Sequence, residues 1–412
     1  MRPRPYALSP AYHAYARGLR ELHRLEIAGL SNSTEADEIR DSMDLPWRGL
    51  SEAEAARTDG LSEDLYSLSD PPHEPEPMNP QAQSNLNEFY EARERGDWDH
   101  ALALLRKWAN YIPPALLAYL RGAVWRAAGD PESASLFFER AHLLDPEDPR
   151  YFVVYLQTAD PAKARPELDA ILEQPEARPL SLLTYAIGAA SQSVPPPTRA
   201  DFLRFATILN EALNRSADAD SSFDSTLRPL GYWTLGLCFE AAGELRPAMD
   251  SYTSGLAIDP DRVSLLAARG LLGYGTNPNA IEDLERAARN QVDMIWPYFA
   301  LAHHHFRQGR FRECLRLCDE ALRFDGPEAA RSELAEWTAI ARAELDFPPA
   351  MVREAFEEAV RLDPSNQRAR HNRALYEERL ASPREEAKPF EARSPREVRA
   401  SVPPGGWFQG AA

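Results

Sequence analysis

A chain of 412 residues with 44% hydrophobic content holds enough apolar side chain for two or three domains, or for one long core built from repeats. Its 46 Lys+Arg against 64 Asp+Glu leave a net charge of −18, a field that repels polyanions and argues against nucleic acid as a partner. Every apolar run is broken by Arg, Glu or Pro before membrane-span length, which argues against a membrane partner and leads us to expect a cytoplasmic protein.

Residues 1 to 80 come first, and their opening MRPRPYALSP has no apolar stretch long enough for a signal peptide. Arg2, Arg4, Arg17, Arg20 and Arg24 against Glu21 would suit an organelle presequence, but the acid-rich sequence that follows gives this no support. Between residues 25 and 80 there are 14 Asp/Glu and 3 Arg, and Pro71, Pro72, Pro75, Pro77 and Pro80 forbid regular structure at the end. The expectation is an acidic, partly helical or disordered arm with a Pro-rich linker, in which Leu19, Leu22, Leu25 and Ile27 mark a helix and a second helix follows. About fifty residues of this arm resemble a short acidic segment seen ahead of repeats in predicted bacterial proteins, a resemblance that transfers no function.

From residue 82 to 380 apolar residues recur at spacings of three and four, strand-like alternation is absent, and Gly or Asp-Pro interrupts the pattern regularly. In residues 227–260, Tyr232, Leu235, Gly236, Phe239, Gly243, Ala248, Tyr252 and Pro260 fall at fixed offsets. Gly122, Trp125, Gly129, Ala134, Phe138, Ala141 and Pro146 repeat them, as do Tyr298, Leu301, Ala302, Gly309 and Ala321. These residues resemble the tetratricopeptide repeat, a 34-residue helix-turn-helix with the pattern W-x2-L-G-x2-Y…A-x3-F…P. Weaker copies cover 82–114, 263–294 and 333–366. Residues 149–225 depart from the pattern but still read as two helical pairs. The resemblance implies an all-α fold, an α-solenoid of about eight helical hairpins. The many Arg and Glu residues of 366–380 suit a solvated end-cap helix, and the disorder-prone sequence after it leads us to expect a disordered tail at 382–412. Ser-Pro-Arg-Glu occurs twice in that tail, at 382–385 and 394–397, ahead of Trp407 and Phe408.

Chemistry is sparse. In residues 302–320 the run His303, His304, His305 precedes Cys314 and Cys318, which raises a metal-dependent regulator or enzyme as an alternative. The repeat phase places Cys314, Cys318 and His305 in the seam between two helices, whereas His304 and His303 point about 100° and 200° away, so three adjacent ligands do not converge. With only Asp319 or His304 as a forced fourth ligand, core thiols are the favoured reading, and no cofactor is expected. The three cysteines, none in a CxxC, fit a reducing compartment. No phosphate loop, dinucleotide fingerprint, H-E-x-x-H or nucleophile elbow occurs, so the protein is expected not to be an enzyme.

In proteins with this repeat the first helices line a groove that binds an extended peptide or a partner helix. The phase puts Tyr119, Arg126, Trp233, Leu237, Tyr274, Trp296, Phe299, His303, Phe306 and Arg307 on that side, a set rich in the aromatic and Arg types that anchor interfaces. For each residue the competing reading is packing against the next repeat. The expected function is a scaffold or adaptor that binds a protein or peptide in this groove, with self-association as a further alternative. No Lys/Arg/Asn clamp for a carboxyl terminus can be placed.

Overall fold

The computed structural model describes residues 5–77, 80–193, 195–216, 222–381 and 388–402. Among the described residues the chain forms twenty-one α-helices and no strand. In order they are α1 (Pro10–Ile27), α2 (Thr34–Arg48), α3 (Glu52–Tyr66), α4 (Pro80–Arg95), α5 (Trp98–Lys107), α6 (Pro114–Ala128) and α7 (Pro131–Leu144). Then follow α8 (Pro149–Thr158), α9 (Pro161–Glu173), α10 (Leu180–Ala190), α11 (Arg199–Ser216), α12 (Ser222–Ala241), α13 (Leu245–Ile258) and α14 (Val263–Gly273). The last are α15 (Ala280–Arg289), α16 (Ile295–Arg307), α17 (Phe311–Ala321), α18 (Glu328–Glu344), α19 (Pro349–Leu362), α20 (Gln367–Ala381) and α21 (Pro395–Ser401). They sort into two compact units, residues 1–167 and 168–412.

The helix pairs share one packing device. At Gly122 a Cβ would lie 2.7 Å from the Phe138 ring, at Gly236 it would lie 2.2 Å from Tyr252, and at Gly270 it would lie 2.8 Å from Leu284. A small residue on the first helix thus receives a large one from the second, and each large side chain so buried contributes about 1.5–3 kcal/mol. The turn between the two helices needs a left-handed residue, which glycine adopts without strain: Gly129 has φ +102° and Gly243 has φ +80°. Ala302 and Cys318 keep the spacing of Gly122 and Phe138, with smaller partners on both sides.

The first unit departs from the expected arm. Residues 10–66 are helical, as part of that segment was expected to be, but they form three helices that pack into the core of the unit. Ser9 caps α1 by accepting from the Tyr12 amide, and Ser51 caps α3 in a reciprocal box with Glu54. Tyr12, Ala16, Leu61 and Leu65 are then buried with Phe89, Trp125 and Phe137. The acid-rich composition does not prevent this because its fully buried acid meets arginines from the helices it packs on: Asp64 lies within 2.9 Å of Arg106 and 3.5 Å of Arg121. Arg57 in turn forks onto Asp99 of α5 at 3.0 Å. Among the described residues of the linker, 70–77 keep the exposed, non-helical character expected of it.

In the second unit the pairs α10/α11, α12/α13, α14/α15, α16/α17 and α18/α19 pack in succession, closed by α20. The tail also departs from expectation. Residues 382–387 and 403–412, including Trp407 and Phe408, lie outside the described residues, but 388–402 is packed on the unit, with Val398 fully buried in its core. The end-cap helix α20 is likewise not solvated all round, since Ala369, Asn372, Leu375 and Tyr376 are buried.

Candidate partner-binding site

Two helices of the second unit, α16 and α20, hold an extended stretch of main chain, residues 388–393. From α20, Arg379 donates through Nε (3.1 Å) and Nη2 (2.6 Å) to the Lys388 carbonyl. About two turns earlier, Asn372 takes the Glu391 peptide from both sides: its Oδ1 accepts from the Glu391 amide at 2.8 Å and its Nδ2 donates to the Glu391 carbonyl at 3.0 Å. From α16, His303 Nε2 lies 2.9 Å from the Arg393 carbonyl. Three side chains therefore read peptide groups, which every partner possesses.

Each reader is itself held. The second hydrogen of Asn372 Nδ2 goes to Glu336 Oε1 at 2.7 Å, and Arg368 forks onto the same carboxylate at 2.9 and 2.8 Å. Glu336 and Asn372 have no exposed surface, so a carboxylate buried on α18 fixes the amide on α20. His303 is fully buried, and its Nδ1 lies 2.7 Å from the Tyr274 hydroxyl. Because the Arg393 carbonyl only accepts, Nε2 carries the proton and Nδ1 accepts from Tyr274, a tautomer fixed by the network. The ring lies against Trp337, which also packs on Phe299 and Phe306 at centroid distances of 4.7 and 6.3 Å.

Side chains of the seated segment meet matching groups. Arg393 pairs with Glu333 and donates to the Glu397 carbonyl. Phe390 lies under the Arg379 guanidinium, 3.8 Å from its carbon. Ser394 opens α21 with Glu397 closing a capping box, and Pro395 rests on Gly275. Burial pushes the Glu333 carboxyl up, opposed by Arg393 and Arg368.

Burial, opposed by the hydrogen bond to the Arg393 carbonyl and aided by the nearby guanidiniums of Arg307, Arg368 and Arg393, lowers the His303 pKa to about 4. The unfolded imidazole takes its proton near 6.5, so the stability of the neutral, buried form is full above that pH and is lost as pH falls towards 4. At about 1.4 kcal/mol per unit this amounts to about 3 kcal/mol. Denaturant midpoints measured at pH 7 and pH 4.5 should therefore fall further for the wild type than for His303→Gln. Parallel losses would remove the linkage.

The residues singled out by phase distribute unevenly. Trp233, Leu237, Tyr274, Trp296, Phe299 and Phe306 are 0–7% exposed and belong to the core of the second unit, so they do not form an open aromatic face. The reason is that the first helices contact each other as well as their own partners: Phe299 of α16 reaches Trp337 of α18, and Tyr274 reaches His303. Arg307 is exposed at the end of α16. Tyr119 and Arg126 belong to the first unit, where Tyr119 is half-buried against Tyr151 and Phe138, and Arg126 is exposed over the Phe138 ring. His303 makes the contact with main chain. Asn372, Arg379, Glu333 and Glu336 were missed because they lie in one of the weaker copies and in a helix whose charge read as solvated. The available signal was the second Ser-Pro-Arg-Glu, whose S-x-x-E spacing is a helix cap just ahead of Val398.

Cys314 and Cys318 are fully buried with their sulfurs 4.0 Å apart, and the shared hydrogen bond and burial push the Cys314 thiol up, away from the thiolate a metal would need. His305 is half-buried. Among the described residues no three His, Cys, Asp or Glu are placed to hold a metal ion.

In the first unit a groove of about 980 Å³ is lined by Arg17, Arg24, Glu26, Arg140 and Lys163 with Glu132 and Glu139. Arg140 and Lys163 are already engaged by the Asp70 carbonyl and Glu139. Among the described residues no helix is long and apolar enough to cross a membrane.

No family model matches the sequence, and no curated protein matches it. Among solved structures the chain is similar to a monomeric mutant of IFIT1 with Gppp-AAAA, at 15% identity over 94% of this chain and 91% of that chain, with a TM-score of 0.39. It is also similar to the APC/C hetero-tetramer Cut9-Hcn1, at 12% identity over 91% of each chain, with a TM-score of 0.28. At these scores neither likeness bears on function.

Proposed function

We infer that the protein is a non-enzymatic scaffold or adaptor of tetratricopeptide-like repeats, and that the second unit captures a protein or peptide partner as an extended chain. The observation that carries this reading is the set of three side chains, Arg379, Asn372 and His303, that hydrogen-bond the main chain of residues 388–393. Such contacts supply affinity without demanding one sequence, and alternate side chains supply the choice. The net charge of −18 supports a protein rather than a nucleic-acid partner.

A photo-crosslinking amino acid at Arg307, exposed beside His303, tests the reading in the intact protein in cells. The control position is Arg361, exposed on α19, the second helix of its pair. Discrete adducts are expected at 307 and absent at 361. The same adducts at both positions, or none at 307, would sink the reading.

A further inference from the structure

Residues 388–402 occupy the site as a ligand would. Their peptide groups are held at 388, 391 and 393, Phe390 and Arg393 enter the Arg379 and Glu333 positions, and Val398 is fully buried. A segment retained only as a covering strap would need apolar burial. It would not need a buried carboxylate, Glu336, on which an amide is mounted to read one peptide group from both sides. Charge points the same way: the segment carries Lys388, Arg393, Arg396 and Arg399 against Glu391 and Glu397, a basic stretch in a chain of net charge −18.

We propose that residues 388–402 are a resident, displaceable ligand of this groove. The partner they exclude is a basic peptide segment of the same chemistry: extended, with an aromatic residue three positions before an arginine, then a Pro-initiated helical turn bearing a branched apolar residue five positions after that arginine. This rests on the reading of the second unit as a peptide-capturing groove. Residues 382–387 join the segment to the end of α20, so it competes from the same chain at an effective concentration of about 1 mM. Against a site that binds a free peptide at about 10 µM, that tether weakens an incoming peptide about a hundredfold.

The probe is a labelled synthetic peptide of residues 388–402, titrated into the full chain by fluorescence anisotropy. The wild type is expected to bind it about a hundredfold more weakly than the full-length double variant Arg393→Glu, Val398→Asp, whose own segment is disabled. The same peptide carrying Arg393→Glu should bind that variant at least tenfold more weakly than the unaltered peptide. A second arm leaves groove and segment unaltered: residues 382–387 are replaced by a protease site, and cleavage should turn weak binding into saturable binding. Failure of the cleaved, still helical protein to take up peptide would overturn the proposal, as would equal binding by wild type and double variant. Light scattering that shows a wild-type dimer dissociated by the double variant would also overturn it, because the segment would then belong to a second copy. If peptide uptake fails while position 307 still yields discrete adducts, the groove remains a partner site and only the resident-ligand inference is lost. If uptake succeeds and position 307 yields none, the partner reading is the one that falls.

Discussion

Replacing Trp337 by alanine is expected to lower the stability of the second unit by about 3–5 kcal/mol, the range for removing a large aromatic ring from a packed core. The ring is 1% exposed and lies against Phe299, His303 and Phe306, so its loss leaves a cavity that three rings from one helix line and cannot fill by small shifts. The same change should release residues 388–402, because His303 loses the surface that holds its ring in line with the Arg393 carbonyl. Chemical denaturation followed by circular dichroism reads the first effect. Hydrogen exchange at the Glu391 amide, which donates to Asn372, reads the second. A loss below about 1 kcal/mol would mean that the ring does not bear on the packing of α16 against α18.

Asp64→Ala is expected to cost the first unit a comparable amount, about 3–5 kcal/mol, for a different reason. The Asp64 side chain has no exposed surface and faces Arg106, Arg121 and the Trp125 indole, whose Nε1 donates to it at 3.2 Å. Removing the carboxylate strands two guanidiniums and an indole N–H together. Asp64→Asn keeps the shape but not the charge and should recover only part of the loss. Because Asp64 sits on α3, the variant should also loosen α3 from α5 and α6, which faster proteolysis within 52–77 would report. Unchanged proteolysis and a shift under about 1 kcal/mol would show that apolar contacts alone hold the N-terminal helices.

Both predictions concern regions where the sequence was least transparent. Acid content made residues 25–80 look like an arm, since like charges repel when no partner is in view; the partners are Arg106 and Arg121, some 40 to 60 residues away along the chain. Helix α20 carries so many Arg and Glu residues that its pattern reads as solvent on every side, yet Arg368 and Asn372 are turned towards Glu336 on α18. The aromatic set on the first helices was visible by phase. Phase separates one side of a helix from another, however, and does not say whether that side meets solvent or the next first helix.

The helical class, the paired helices, the turn glycines and the seam position of Cys314 and Cys318 were determined by the sequence itself. They follow from contacts between residues about 14 to 16 positions apart, which recur with the repeat and so leave a periodic trace. The tertiary structure alone decided that residues 10–66 are core, that Trp337, His303 and Asn372 form one site, and that residues 388–402 sit in it. Those contacts span tens of residues and are made once, between charges, amides and main chain that any sequence could place on a surface. A contact made once has no period, and only the folded chain brings its two sides together.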